Sequence, residues 1–309
     1  MEARWSTLTW VLLALLILTW GFNYLFVAVG LTAAGPIWLA IFRSGFGFLG
    51  TLVLVTLARA WGTLDAAARR DALLLGLPNT TLFFGLWFVA ARSVPPGIAS
   101  VVIYTFPLWV ALLSAPVLGR PLGRVAWLAI ATGFVGVALV SEAWTHVGPG
   151  LSIAPILELL AAASSWAVGT VLFQRRFNAP QMLSASAYQL AGGTLGLCGA
   201  LLLTGVEPLP RVTLDFVAAV LWLGILGTAV GYAIWFTLLG RTPAARLSAY
   251  LFFVPVVALT ASILLLGERL VWVQAAGVGL VILAIYGIGR ARLGAPAETV
   301  VPVVVPPPE

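Results

Sequence analysis

Residues 87–122, WFVAARSVPPGIASVVIYTFPLWVALLSAPVLGRPL, return 148 positions later as residues 235–270, WFTLLGRTPAARLSAYLFFVPVVALTASILLLGERL. Without a gap, Trp87-Phe88 falls on Trp235-Phe236, Pro95 on Pro243, Ser100 on Ser248 and Pro107 on Pro255. Ser114 then meets Ser262, Leu118-Gly119 meets Leu266-Gly267, and Leu122 meets Leu270. Apolar sequences resemble one another through Leu and Ala alone, but Trp, Pro and Gly are punctuation, and their register is hard to reach by chance. The front of the chain keeps nearly the same shift: at 146, Trp20 falls on Trp166, Gly47 on Gly193 and Gly50 on Gly196. The chain reads as two copies of one unit.

Working outward, 61% of the 309 residues are hydrophobic and 8% are charged. Soluble domains sit near 45–50% and about 25%. Mean hydropathy is +1.09. The apolar runs reach about 20 residues, the length of a spanning helix and twice that of a barrel strand. The class is therefore an all-α integral membrane protein whose immediate partner is the lipid bilayer. All 16 cations are Arg, scattered singly or in pairs between apolar runs. They form no basic stripe for nucleic acid. Cys198 is the only cysteine and His146 the only histidine, which removes intramolecular disulfides, thiol metal sites and His-based zinc or triad chemistry. The run from Leu8 to Val29 is too long for a signal h-region and reads as a first permanent span.

Spans fall near 8–29, 36–58, 72–91, 97–118, 124–142, 151–173, 181–203, 213–239, 244–266 and 270–289. They divide into five and five: residues 1–146, residues 147–292, and a Pro-rich tail, 293–309, expected to be disordered. Arg59–Asp71 reads as a cytoplasmic amphipathic turn. With the N-terminus inside, twelve Arg flank spans on the cytoplasmic side and only Arg92, Arg211 and Arg269 face out, so both termini are expected inside. Five is odd, so the second copy must lie upside down relative to the first. The loop Arg120–Arg124 and its counterpart Glu268-Arg269 differ in charge as that inversion requires. Inverted repeats are typical of secondary transporters, with the substrate near the midplane between the halves.

Catalysis lacks its parts. There is no H-E-x-x-H, P-loop, G-x-S-x-G or dinucleotide fingerprint, and Glu158 is the only acid read more than a turn inside a span. The protein is expected not to be an enzyme and to hold no cofactor or metal. Polar groups at bilayer depth are costly unless they face a cavity or a partner. Candidates to line a substrate cavity are Trp20 and Asn23 in span one, Asn79 and Phe84 in span three, and Ser100 and Tyr104 in span four. Trp166 in span six, Tyr232 in span eight, and Ser248 and Tyr250 in span nine complete the set. The competing reading makes the Trp and Tyr interfacial belts and the Ser, Thr and Asn interhelical glue; it suits Trp5, Trp61, Trp144 and Trp272 near span ends. Pro107 and Pro255 can each free a carbonyl and act as hinges. Arg43, inside span two and opposite Gln189 in the repeat, can pair with Glu158, bind a substrate carboxylate or snorkel outward. Glu158 is alternatively a proton-coupling site. Gly192-x-x-x-Gly196 and Gly227-x-x-x-Gly231 signal close helix contact.

Trp20-Gly21 in span one, Pro255 followed by Leu266-Gly267-Glu268, and the Gly-rich last span with Gly277 and Gly279 resemble the drug/metabolite transporter superfamily, EamA type. The resemblance runs from about Leu8 to Arg292; the first copy departs from it, having Arg120 where the second has Glu268. Within the superfamily the chain is most similar to the YddG-type exporters of aromatic and other apolar amino acids. The resemblance implies export of a small molecule from the bacterial cytoplasm across the inner membrane, by alternating access. Spans one, three, four, six, eight and nine would surround the cavity, with five and ten at the periphery and a monomer as the simplest unit. The alternatives are an exporter of flat organic cations or drugs and, in a different class, a channel or structural membrane protein.

Overall fold

The computed structural model describes residues 7–61, 64–118, 123–141, 153–205, 207–242, 244, 247, 250–251 and 253–290. Among these the architecture is helical, with no strand. Ten helices follow in order: α1 (Thr7–Leu31), α2 (Pro36–Leu57), α3 (Ala66–Ala90), α4 (Pro96–Ile103, continued by Phe106–Leu118) and α5 (Arg124–Ser141). The second set is α6 (Ala154–Arg176), α7 (Ala179–Thr204), α8 (Leu214–Leu239), α9 (Phe253–Leu266) and α10 (Trp272–Arg290). Seven of them are long and apolar enough to cross a bilayer, and α5, α9 and α10 are shorter apolar helices. At 1.5 Å per residue, the 25 residues of α1 reach roughly 37 Å, enough for a hydrocarbon core of about 30 Å. Leu202, Leu203 and Leu264 stand exposed on the outside of the bundle, which suits lipid and not water. The boundary between the copies at 146/147, Ser248 and the tail lie outside the described residues.

One span starts earlier than its hydropathy suggests. Asp65 caps α3 by accepting from the Ala68 amide at 2.7 Å, so the helix begins at Ala66 and takes in the second half of the segment read as a turn. Charged Arg69, Arg70 and Asp71 lower the hydropathy there but are good enough helix formers for the capped turn to continue.

The two copies do not form separate bodies. Helices of the first pack mainly on helices of the second: α1 on α9 and α8, α2 on α7 and α8, α3 on α6 and α7, α4 on α6 and α9. Helices α5 and α10 pack against each other. Individual contacts recur at the sequence shift. A Cβ on Gly47 would run into Thr228, and one on Gly193 into Thr80, the matching pair. A Cβ on Gly50 would meet Ala229 and one on Gly196 would meet Thr81, again a matched pair. Small residues let these backbones approach closely, and the repeat of the sequence thus becomes a repeat of packing.

Helices α3 and α8 also share a defect. Each widens into π-helix, over Leu77–Leu82 and Trp222–Val230, so that both wide turns end at matched positions. Pro78 lacks an N–H and cannot bond back in the first. In the second, the Thr228 hydroxyl donates to the Leu223 carbonyl five residues back, at 2.8 Å. Such turns leave carbonyls for other partners, and Ser165 of α6 uses one, donating from Oγ to Pro78 O at 2.8 Å.

Candidate functional site

Where the two copies meet, aromatic side chains enclose a small cavity. The indole of Trp20 packs edge-to-face on that of Trp166, its repeat counterpart, with centroids 6.2 Å apart. Trp166 lies 5.3 Å from Tyr232 and 4.9 Å from Phe83. Tyr24 sits 4.8 Å from Trp87 and 6.3 Å from Tyr104. Tyr104 is presented by a break in α4. Pro107 cannot donate to Ile103, the helix stops there, and Leu108 bonds to Thr105 O instead at 2.8 Å. Trp20 is held from behind: its Nε1 donates to Gly227 O at 3.0 Å, a carbonyl of the α8 wide turn. The cavity is bounded by Trp20, Asn23 and Tyr24 of α1, Arg43 of α2, Phe83 and Trp87 of α3, and Ile103, Tyr104 and Phe106 of α4. Trp166 of α6 and Tyr232 of α8 complete it. The space open to water centres is about 30 Å³, whereas one water needs about 10–15 Å³ on that measure, so an amino acid fits only once the walls move apart.

Arg43 is the single charge among the described residues of this wall. It is 2% exposed. Its Nε donates to Thr228 Oγ1 at 3.2 Å, and its guanidinium lies 4.1 Å from the Phe84 centroid and 4.9 Å from that of Trp87. Nη1 has no hydrogen-bond partner among the described residues, and neither do Asn23 Oδ1 and the Tyr232 hydroxyl. The side chain therefore does not snorkel. No ion pair joins it to Glu158, which is half-buried on α6 and absent from the cavity wall. Among the described residues the ion pairs are those of Asp71 with Arg70 and with Arg176.

The structure sorts the expected lining residues into three groups. Trp20, Asn23, Tyr104, Trp166 and Tyr232 line the cavity. Phe84 stands one layer back, under Arg43. Asn79, Ser100 and Tyr250 serve elsewhere. Asn79 Nδ2 donates to Gln189 Oε1 at 2.8 Å, and its amide packs against Gly169 as that of Asn23 packs against Gly227, the matched pair. Ser100 Oγ bonds its own helix at Gly97 O, 2.6 Å, and Tyr250 packs edge-to-face on Trp10. Helix α2 takes the place in the wall expected for α9, which contributes no described lining residue. Pro255 lies in the first turn of α9, as Pro107 lies in the first turn of Phe106–Leu118, and a turn at Leu251 precedes it, with the Val254 amide donating to Leu251 O at 3.0 Å. Tyr24, Phe83, Trp87, Ile103 and Phe106 were not among the expected lining residues. The spacing of four between Trp20 and Tyr24, and between Phe83 and Trp87, is the signal that puts each pair on one helical face.

Two glutamates from connections of the second copy close one end of the bundle. The Glu268 carboxylate accepts from the amides of Gly97 (2.8 Å) and Ile98 (3.2 Å) at the start of α4, and from the Ser262 hydroxyl. The Glu207 carboxylate accepts from the amides of Ile37 (3.4 Å) and Trp38 (3.2 Å) at the start of α2. An anion at a helix N-terminus satisfies orphan amides and the dipole together. The carboxylate of one copy thus serves a helix end of the other.

Comparison with known proteins agrees with this architecture. The model of the EamA-like transporter family matches twice, over residues 7–142 and 153–290. The chain is 29% identical over 280 residues to the uncharacterized transporter YvbV of Bacillus subtilis, covering 91% of each. It is 30% identical over 283 residues to a probable amino-acid metabolite efflux pump of Salmonella typhimurium, covering 88% of this chain and 91% of that one. A protein of the same description from Escherichia coli K12 is 29% identical over 287 residues, covering 89% and 93%. One solved crystal structure superposes with a TM-score of 0.64 over 92% of this chain and 96% of that one; at 20% identity it speaks for the fold alone.

Proposed function

This chain belongs to the EamA-like transporter family and is a multi-pass membrane transporter, and on that premise we propose that it exports aromatic and other apolar amino acids by alternating access. The observation that carries the reading is the aromatic cavity at the junction of the copies, built around Trp20, Trp166, Tyr104 and Tyr232. Flat rings contribute large apolar contact, and a few polar groups fix orientation, which suits a small amphipathic solute. The Salmonella and Escherichia relatives are named probable amino-acid metabolite efflux pumps, which supports export of an amino-acid-related solute. Both termini lie in the cytoplasm, the second copy is inverted, and the membrane is the bacterial inner membrane; the Arg distribution supports the orientation. The capped end at Glu207 and Glu268 then faces out. Rocking of one copy against the other, with the break at Pro107 as a hinge, opens each end in turn.

An organic cation is the weaker cargo. The wall offers it an arginine and no described acid, and Arg43 would repel it. The deciding assay is counterflow of labelled phenylalanine or tryptophan in proteoliposomes, with and without a pH gradient. Saturable counterflow is expected and would exclude a simple channel. Acceleration by the gradient would bring Glu158 forward as a coupling group. Folded protein that shows no counterflow would end the amino acid assignment.

A further inference from the structure

We propose that the counter-ion of Arg43 is the carboxylate of the transported molecule, so that the site selects flat apolar monocarboxylates: the acid group is required and the ammonium group is dispensable. This rests on the reading of the aromatic cavity as the transport site. A cation held at bilayer depth without an anion is costly, and proteins keep one there for a partner. Here the described residues supply no such partner. No described acid lines the cavity, Glu158 is elsewhere, and Glu207 and Glu268 are committed to helix ends. The faces of Phe84 and Trp87 and the Thr228 hydroxyl compensate part of the charge. Nη1 still has no described acceptor.

The repeat supplies an internal control. The residue matching Arg43 is Gln189, and that matching Thr228 is Thr80. Gln189 is fully buried, and its Oε1 accepts from Asn79 while its Nε2 has no described partner, so this helix position is filled in the other copy by a neutral amide. The charge is thus an addition made in one copy only, on the side that faces the cavity. The substrate ammonium, by contrast, finds among the described lining residues only neutral acceptors, such as Asn23 Oδ1 and the Tyr232 hydroxyl, and aromatic faces. It also shares the cavity with a like charge. An amino acid is accepted because it carries a carboxylate, and the same acid without the amino group is accepted as well.

The test uses full-length protein with three probes of one ring and chain length: phenylalanine, 3-phenylpropionate and phenethylamine. Binding is read as a saturable rise in unfolding midpoint, and transport as inhibition of phenylalanine counterflow. The expected result is binding of 3-phenylpropionate at least as tight as that of phenylalanine, with no saturable effect of phenethylamine. In Arg43→Gln, loss of a charge-assisted bond should weaken 3-phenylpropionate about tenfold to a hundredfold. Arg43→Lys keeps the charge and should recover most of that loss, which a purely structural role of the guanidinium would not predict. Phenethylamine binding as tight as 3-phenylpropionate, which needs no variant, would overturn the proposal, as would unchanged affinity in Arg43→Gln. Arg43-dependent binding of 3-phenylpropionate without any phenylalanine counterflow would uphold the carboxylate and reject amino acid export. Phenylalanine counterflow untouched by 3-phenylpropionate would do the reverse.

Discussion

Removing the Glu268 carboxylate should loosen one end of the transporter by a calculable amount. The group accepts two amides in the first turn of α4 and the Ser262 hydroxyl, across the junction of the two copies. Helix-capping contacts are worth about 0.5–2 kcal/mol and the charge at a helix N-terminus a further 0.3–1 kcal/mol or so. Helix α4 cannot swing away from α9 without breaking them, so the contact favours the conformation closed at this end. Glu268→Ala should therefore shift the equilibrium toward opening by about 1–2 kcal/mol, roughly five- to thirtyfold. Glu268→Gln keeps an acceptor and loses the charge, and should shift it by only about two- to fivefold. The assay places a cysteine at Ile103, in the cavity wall, with Cys198→Ala as background. A membrane-impermeant maleimide is then added from outside. The labelling rate should rise in the order wild type, Glu268→Gln, Glu268→Ala. Equal rates in three equally folded proteins, or a larger effect of Gln than of Ala, would refute the account of Glu268 as a latch.

Three further outcomes follow from the packing. Gly47→Ala, whose new methyl meets Thr228, should cost about 1–3 kcal/mol and lower the unfolding midpoint, whereas Gly45→Ala, with open space at its Cβ, should be neutral or gain up to about 1 kcal/mol. Trp20→Phe removes the bond to Gly227 O and should cost about 1 kcal/mol in thermal or denaturant unfolding, with weaker substrate binding as the indole loses its anchor. Tyr232→Phe removes a hydroxyl that has no described partner, so stability in detergent should hold or rise; the binding of phenylalanine should weaken more than that of 3-phenylpropionate, measured by the same midpoint titrations.

Much of the fold is legible from the chain alone because a bilayer leaves a helix so few options. With no water to bond the backbone, each span must satisfy itself, and its length and apolarity show in the sequence. That is why eight of the ten helices start within a few residues of the apolar runs, and why α3 begins instead in a capped, charged turn that hydropathy cannot see; α9 is described from Phe253, later than its run. The repeat was equally visible, through Trp, Pro and Gly in fixed register. Of the cavity, the residues found were those that are both polar or aromatic and mid-span, such as Trp20, Tyr104 and Trp166. Asn79 and Ser100 share that description and serve other partners, because depth in the membrane does not say which way a side chain turns.

The amino-acid sequence by itself determined that the chain spans a membrane ten times and is built twice over. Only the tertiary structure decided that the copies pack on each other more than on themselves, that α2 enters the cavity wall, and that Glu268 of one copy caps a helix of the other. It also set Arg43 among aromatic rings with no described acid beside it. The reason is that spanning is a property of one helix and its solvent, written locally in composition. Partner choice depends on close approach at particular small residues and on orphan amides at helix ends, and their partners lie more than a hundred residues away in the chain.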